Sequence, residues 1–596
     1  MSVPKRLSER DAPREADSRI AWGSDVAAQM LRRLDIPYIA LNPGASYRGL
    51  HDSLVNHLGN RAPEMIMCLH EEQAVALAHG YAKATGRAMA VALHSNVGLM
   101  HGTMAIYNAW CDRAPMLILG ATGPVDAVMR RPWIDWIHTS QDQGALVRNF
   151  VKWDDQPGSV AAIPESMLRA WQQTGTPPHG PVYVCLDAGL QEERLAGEVA
   201  FPDPRRFAPA LAASPSKSNL VQAAKLLAEA KSPVILFGRG ARTEEAWKRR
   251  VALAERLGAA MLSDLKAGAM VPTDHPLHAG EPFNQLSKAG KEALQRADVV
   301  LSLGWIDLGG VLRQAYGRGS VPAKVIHAGD DLYLHNGWGK EHMELPPIDV
   351  HLLGDPDAAV LELLELLPAR SGALSSRTPR QEKGREAIDN LNLRAVALAL
   401  REAVGGQPVS FASLARAWPV ELWPHRHPLD YLGKDGGGGV GSGPGLTLGA
   451  ALALKGSGRL TVGVLGDGDT LMSMNALWTA ARYDLPALFV IANNRSYYND
   501  ELHQEGVARH RGRSPANRWI GQSIDHPAPD IARLAEAQGV TGLGPVKELS
   551  QLEKAMKQAV ECVRGGKPCL VDVHIDPGHG RHLRESMAER SLGKGS

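Results

Sequence analysis

Short, unbroken apolar runs punctuate the chain, and between them apolar and small residues recur at helical spacing. MAVALH, APMLILGA and PVYVCLD are short runs, so they predict strands covered on both faces. MLRRLDI and AVALAHGYAKATG predict helices between such strands. The alternation returns at SPVILFGRG, DVVLSLGW and AKVIHAGD, and again at LTVGVLGDG, PALFVIANN and PCLVDVHI. This pattern predicts an α/β fold of three domains, each with a mostly parallel sheet flanked by helices. The Pro-, Ser- and Ala-rich stretch 201–219 and the polar, breaker-rich stretch 368–386 predict linkers. The expected domains are therefore 20–195, 215–365 and 390–580. No tandem repeat is visible, which argues against a solenoid or propeller.

Composition narrows the class. Lys+Arg 65 against Asp+Glu 64 leaves a formal net charge of +1, which removes any global electrostatic case for nucleic acid or an anionic membrane. A hydrophobic content of 44% with 22% charged residues is that of a globular protein. The five cysteines (Cys68, Cys111, Cys185, Cys562, Cys569) form no CxxC pair, so they suggest neither a disulfide framework nor a zinc site, and a reducing compartment fits. The first residues, MSVPKRLSERDAPREADSR, are charged and lack the apolar core of a secretory signal, and no apolar run is long enough to span a bilayer. A cytoplasmic protein is expected.

Specific chemistry enters in the third block. The strand LTVGVL runs into Gly466-Asp467-Gly468-Asp469, and PALFVIA runs into Asn493-Asn494, with Asp467 and Asn494 27 residues apart. Gly466 and Gly468 carry no Cβ and let the backbone approach a phosphate closely. The helical pattern that follows, MSMNALWTAARY, favours an anion at its N-terminus. The carboxylate of Asp467 and the amide oxygen of Asn494 are hard ligands suited to Mg²⁺ shared with a diphosphate, and the carbonyl of Ser496 would complete the set. Gly-Asp-Gly alone is more often a plain turn; strand, GDG, helix, strand and NN in this order is much rarer. Upstream stands the tract GGGGVGSGPGLTLGAALA, a flexible loop or a cofactor-facing one.

With these motifs the chain resembles the superfamily of thiamine-diphosphate-dependent 2-oxo acid decarboxylases and acetolactate synthases, closest to the benzoylformate decarboxylase branch. The resemblance is strong over residues 40–190 and 430–500. It implies pyrimidine-binding, central and diphosphate-binding domains, thiamine diphosphate and Mg²⁺ as cofactors, and a homodimer or homotetramer whose subunits share each site. It implies cleavage of a 2-oxo acid through a thiazolium ylid. By position, Val440 would wedge under the cofactor, the carbonyl of Gly438 would accept from its aminopyrimidine, and Glu71, nine residues before Gly80-Tyr81-Ala82, would be the catalytic glutamate in preference to Glu72. His94, after the strand MAVAL, resembles an active-site histidine of the branch, and Gln141 a glutamine that reaches the cofactor across subunits. Asn42-Pro43-Gly44-Ala45-Ser46 resembles a loop with a substrate-contacting serine, but Ser46 is displaced by one position.

Three features depart from the pattern. GWIDLGGVLRQ in the central domain holds no second histidine. Asp469 brings a further carboxylate beside the expected diphosphate. The segment after the NN pair carries Asp500, Glu501 and Glu505, then Arg509, Arg511, Arg513 and Arg518. That segment is either a solvated helix or a proton-transfer carboxylate at Glu501 with an arginine-lined mouth. The tail PGHGRHLRESMAERSLGKGS is a lid or a disordered end. The loop of GRGAR carries no claim to FAD or ADP, and His327, Asp330, Asp331 and His335 read as a polar domain edge before a metal site. The leading expectation is 2-oxo acid decarboxylation. The alternative is a 2-hydroxyacyl-CoA lyase or acetolactate synthase-like carboligase, with Glu501 as base. A non-catalytic homologue is disfavoured by intact Glu71, Val440, Asp467 and Asn494. An NAD-linked enzyme is disfavoured because no GxGxxG follows an early strand.

Overall fold

The computed structural model of the chain describes residues 7–282, 285–333, 345–368, 390–434 and 436–576. Three parallel sheets follow one another. The first comprises β1 (Tyr38–Leu41), β2 (Glu64–Met67), β3 (Met89–Ala92), β4 (Met116–Thr122), β5 (Asp154–Asp155) and β6 (Pro181–Asp187), in the order β2-β1-β3-β4-β6-β5. The second comprises β7 (Pro233–Phe237), β8 (Ala260–Ser263), β9 (Val299–Leu303), β10 (Lys324–Gly329) and β11 (Val350–Leu353), in the order β11-β10-β9-β7-β8. The third comprises β12 (Val409–Ser413), β13 (Leu460–Gly466), β14 (Ala487–Asn493), β15 (Thr541–Val546) and β16 (Cys569–His574), in the order β12-β13-β14-β16-β15. Every strand expected from an apolar run is present. β3, β4, β6, β7 and β14 are buried at each position, as strands covered by helices on both faces must be. The helix expected at MLRRLDI ends at Arg33, because Asp35 takes a φ of 56° and turns the chain toward β1. Most of the second expected linker and the C-terminal tail lie outside the described residues. No helix among the described residues is long and apolar enough to cross a membrane.

Two helices join the first domain to the third. The Glu71–Thr85 helix starts where the His70 ring accepts from the Glu72 N–H (3.2 Å) and stops at Gly86, with φ 69°. The Gly443–Leu454 helix begins directly after the glycine tract. Both are small or apolar nearly all round, and such helices must be covered on every side. They cover each other with their backbones in contact. A Cβ added at Gly80 would lie 2.1 Å from the Leu446 carbonyl oxygen, and one at Gly449 would lie 1.9 Å from that of Leu77. At Gly445 it would lie 2.6 Å from the Ala76 Cβ. The crossing therefore admits glycine alone at these three positions.

The central domain is fastened by arginines from the GRGAR loop. Arg242 donates to the carbonyls of Ala267 (2.9 Å), Tyr431 (3.2 Å) and Leu432 (2.7 Å), and so bridges the second and third domains. Asp331 accepts from Arg239 and from Arg113 of the first domain, each at 2.9 Å. His327 pairs with Ser302 through Nδ1 (2.9 Å). Asp331 is thus an inter-domain ion-pair residue, and His335 lies outside the described residues.

Gly449→Ala is expected to destabilise the protein by about 3 kcal/mol or more, because backbone on both sides prevents relief of the clash. Gly158, whose Cβ would meet nothing within 4 Å, is the control, and Gly158→Ala should stay within about 0.5 kcal/mol. Thermal unfolding of the two variants side by side measures the difference; equal midpoints would show that the helices do not touch.

Candidate active site

A cavity of about 590 Å³ opens at the C-terminal ends of β12, β13 and β14, and its lining residues all lie between 392 and 576. This is where an open parallel sheet places its ligands. The cavity brings together Gly438, Val440, Gly466, Asp467, Gly468, Asp469, Asn494 and Ser496. On its floor, Asp467 Oδ2 and Asn494 Oδ1 both accept from the Ser496 N–H, each at 3.0 Å. Two side-chain oxygens from different strand ends therefore converge on one point. Burial pushes the Asp467 carboxyl above its ordinary value, opposed by the backbone N–H groups of Gly468, Ser496 and Arg495. A carboxylate and an amide oxygen converging in a buried polar pocket are a donor set that fits a hard divalent cation.

The glycine tract forms one wall. Gly438 (φ 67°) and Gly441 (φ 108°) occupy backbone conformations that side chains rarely adopt, and they set Val440 between them, 47% exposed. Asp469 explains itself here. Its Oδ1 accepts from the Gly441 N–H (2.6 Å) and the Gly443 N–H (3.4 Å), so the extra carboxylate tethers the loop. Gln73, on the Glu71–Thr85 helix, donates to the Gly441 carbonyl (3.0 Å) and to Ser473 Oγ (2.7 Å). Asn108 Oδ1 accepts from the Gly439 N–H (3.3 Å). The loop is thus held from the first domain as well as its own. Sequence reading missed Gln73 and Asn108, and also the cavity wall at Ser413–Ala417, where no motif marks the chain.

Glu71, His94, Gln141 and Glu501 do not line this cavity. Glu71 is buried at the start of its helix and is bonded to His101 Nδ1 (3.2 Å). Glu72 is half-buried, and burial raises its carboxyl. His94 sits at the end of β3. The Ser46 N–H (3.4 Å) and the Ser46 hydroxyl (2.8 Å) both approach its Nδ1, while Ser46 Oγ accepts from the Ser95 N–H (3.0 Å). With the backbone donating to Nδ1, the neutral ring carries its proton on Nε2. Burial lowers the imidazole below its ordinary value, and the His138 ring, packed edge-on at 4.7 Å, lowers it further. Ser46, displaced in sequence, is therefore brought to His94 after all. Nothing local announced His138 or His101, although His101 stands two helical turns beyond His94.

Gln141 is exposed; its neighbour Gln143 is the buried one, donating to the Ala121 carbonyl (2.9 Å) and Tyr183 (2.7 Å). Glu501 lies buried on the Tyr498–His510 helix, where Ser496 Oγ donates to one oxygen and Arg518 Nε to the other (3.2 Å). Arg518 also reaches Glu505 (2.6 Å), which pairs with Arg509 (2.8 Å). The expected arginine-lined mouth is not formed by these two: both are neutralised by carboxylates, and none of the four arginines lines the cavity.

Comparison with known proteins places this geometry. Residues 21–146, 220–363 and 412–573 match the family models for the N-terminal TPP binding, central and C-terminal TPP binding domains of thiamine pyrophosphate enzymes. A benzoylformate decarboxylase from Pseudomonas aeruginosa is 27% identical over 523 residues, spanning 85% of this chain and 91% of its own length. An acetolactate synthase large subunit from Haemophilus influenzae is 24% identical, spanning 93% of this chain and 94% of its own. The crystal structure of benzoylformate decarboxylase from Polynucleobacter necessarius superposes with a TM-score of 0.77 at 20% identity, covering 94% of this chain and 100% of that one.

Removing the Asp469 tether is expected to loosen the glycine wall while leaving the sheet intact. Asp469→Ala should weaken thiamine diphosphate binding about tenfold, the cost of one charge-assisted contact, and Asp469→Asn should keep most of it. Cofactor titration by fluorescence measures both, and parental affinity in the alanine variant would mean that the tether does not shape the wall.

Proposed function

The chain belongs to the thiamine pyrophosphate enzyme family, and we propose that it cleaves the bond beside the carbonyl of a 2-oxo acid, releasing CO₂. The carrying observation is the cavity floor, where Asp467 and Asn494 converge on the Ser496 N–H beneath an exposed apolar residue, Val440. In this reading Asp467, Asn494 and the Ser496 carbonyl hold Mg²⁺, and Gly466 and Gly468 let the backbone approach the diphosphate. Val440 would support the cofactor from one side and Gly438 would offer it a carbonyl. When bound, the cofactor supplies the carbanion and electron-sink chemistry. The chain's own groups would bind, orient and move protons: Glu71 would hold and release a proton at its carboxyl, and His94 would present Nε2–H to the substrate side.

Glu71 and the cavity belong to different domains, and the cavity's lining draws on neither Glu71 nor His94. In this reading a second copy of the chain supplies these groups, as the resemblance implies, and Gln141 would reach across with them. Val97, Met100 and Met104 support this, since they expose one apolar stripe on the Ser95–Cys111 helix beside the glycine wall. A dimer at minimum follows, with a tetramer as the fuller assembly. A cytoplasmic location accords with five unpaired cysteines.

Glu501 bears on which reaction follows. A hydroxyacyl lyase reading needs it as a free base, yet both of its oxygens are engaged by Ser496 and Arg518. That supports decarboxylation, with Glu501 as a brace of the metal loop.

The test is a panel of 2-oxo acids and hydroxyacyl-CoA thioesters, run with the parent and Glu501→Gln. Decarboxylation that survives Glu501→Gln within about tenfold is expected. Activity on thioesters or in ligation alone, lost in that variant, would replace this reading. Asp467→Ala should bind neither Mg²⁺ nor cofactor at parental strength, and Glu71→Gln should bind both yet exchange the thiazolium C2–H slowly.

A further inference from the structure

Glu71 is held by one side chain. Its side chain is 7% exposed, and among the described residues its one side-chain hydrogen-bond partner is His101, at 3.2 Å from Oε2 to Nδ1. His101 lies on the Ser95–Cys111 helix with its side chain 54% exposed. One turn earlier on that helix stands Gly98, where an added Cβ would lie 3.0 Å from Glu71 Oε1. The bare glycine lets the carboxyl lie flat against the helix and extend Oε2 to the histidine.

The imidazole is itself held. The His70 ring stacks on it with centroids 5.0 Å apart and planes 18° from parallel. His70 cannot turn freely, because its Nδ1 accepts from the Glu72 N–H. The order is thus helix cap, stacked ring, second ring, carboxyl.

We propose that His101 is the positioning residue for Glu71, fixing the carboxyl's direction and sharing its proton. This rests on the function proposed above, in which Glu71 must gain and lose a proton in each turnover. The transfer balances simply. Protonated Glu71 gives its proton to His101 Nδ1, leaving a carboxylate beside an imidazolium. The reverse sequence recharges Glu71. A histidine suits the task because its ordinary titration range lies near neutrality, whereas a buried carboxyl alone exchanges through no polar neighbour. The groups facing the pair are His70 and Glu72 from the helix start, His94 and His138 beside it, and Tyr47 from the segment after β1.

The experiment uses the full chain with thiamine diphosphate and Mg²⁺. Exchange of the bound cofactor's C2–H for deuterium is followed by acid quench and proton NMR, from about pH 5 to pH 8. His101→Ala is expected to bind cofactor with parental affinity but exchange about tenfold to a hundredfold more slowly, with partial rescue by added imidazole. His101→Gln, which keeps a donor but cannot take up a proton, should also be slow and should depart from the parent's pH profile of exchange. Exchange at the parental rate in His101→Ala would overturn the proposal. The pair can also be read without cofactor, from the His101 Nδ1 resonance by NMR. Glu71→Gln should shift that resonance by replacing the bonded carboxylate oxygen with an amide, and an unmoved resonance would overturn the contact. A parent that binds no thiamine diphosphate would instead defeat the proposed function while the ring resonance still decides the pairing.

Discussion

The contact on which the rest depends is the bare crossing of two helices, Glu71–Thr85 and Gly443–Leu454. Helices usually pack with side chains between them, at interaxial distances set by those side chains. Here Gly80, Gly445 and Gly449 remove that layer, and one helix's backbone rests on the other's. The first begins with Glu71, and the second follows from the glycine wall that presents Val440. Gln73 then ties the two beginnings together through the Gly441 carbonyl. The spacing between the Glu71 carboxyl and the cavity within one chain is therefore set by backbone geometry and not by adaptable side chains.

Around that fixed crossing, the electrostatics of the pocket are handled mainly by backbone amides. Asp467 and Asn494 aim at one N–H, and Asp469 spends its charge on two others. Asp572, fully buried in β16, pairs with Asn493 (2.9 Å), and burial pushes its carboxyl up to about 6. Acidic groups thus gather at this end of the cavity, while its basic lining residues, Arg394, Arg416 and Lys434, come from other segments. A site so arranged has room for positive charge to be added by a ligand, in keeping with the cation reading.

How much of this could be read from the chain follows from the range of each interaction. The strands were legible because a strand covered on both faces must be apolar at every position, as β4 and β14 are. The GDG and NN ends were legible because they sit at fixed places on those strands. The helix seam left a trace in AHGYA and GPGLTLGAA, but glycine spacing alone does not say which helix is the partner. Contacts made across domains had no local trace. Asp469 reads as a repulsive oddity until Gly441 and Gly443 are seen folded back onto it. Glu501 reads as a base until Ser496 and Arg518 are found on its oxygens. Gln141 matched a motif by position, yet the buried glutamine is Gln143. Ser46, set aside for a shift of one residue, reaches His94 because the turn after β1 absorbs the shift.

The glycine crossing has a consequence at the level of the gene. Every single-base change in a glycine codon that replaces the residue yields one with a Cβ. At Gly80, Gly445 and Gly449 there is consequently no neutral replacement one base away, whatever freedom the surrounding surface enjoys. Mutational drift there is blocked by neighbouring main-chain and side-chain atoms, and any lineage that leaves glycine must first move two helices apart and so unsettle Glu71 and the glycine wall at once.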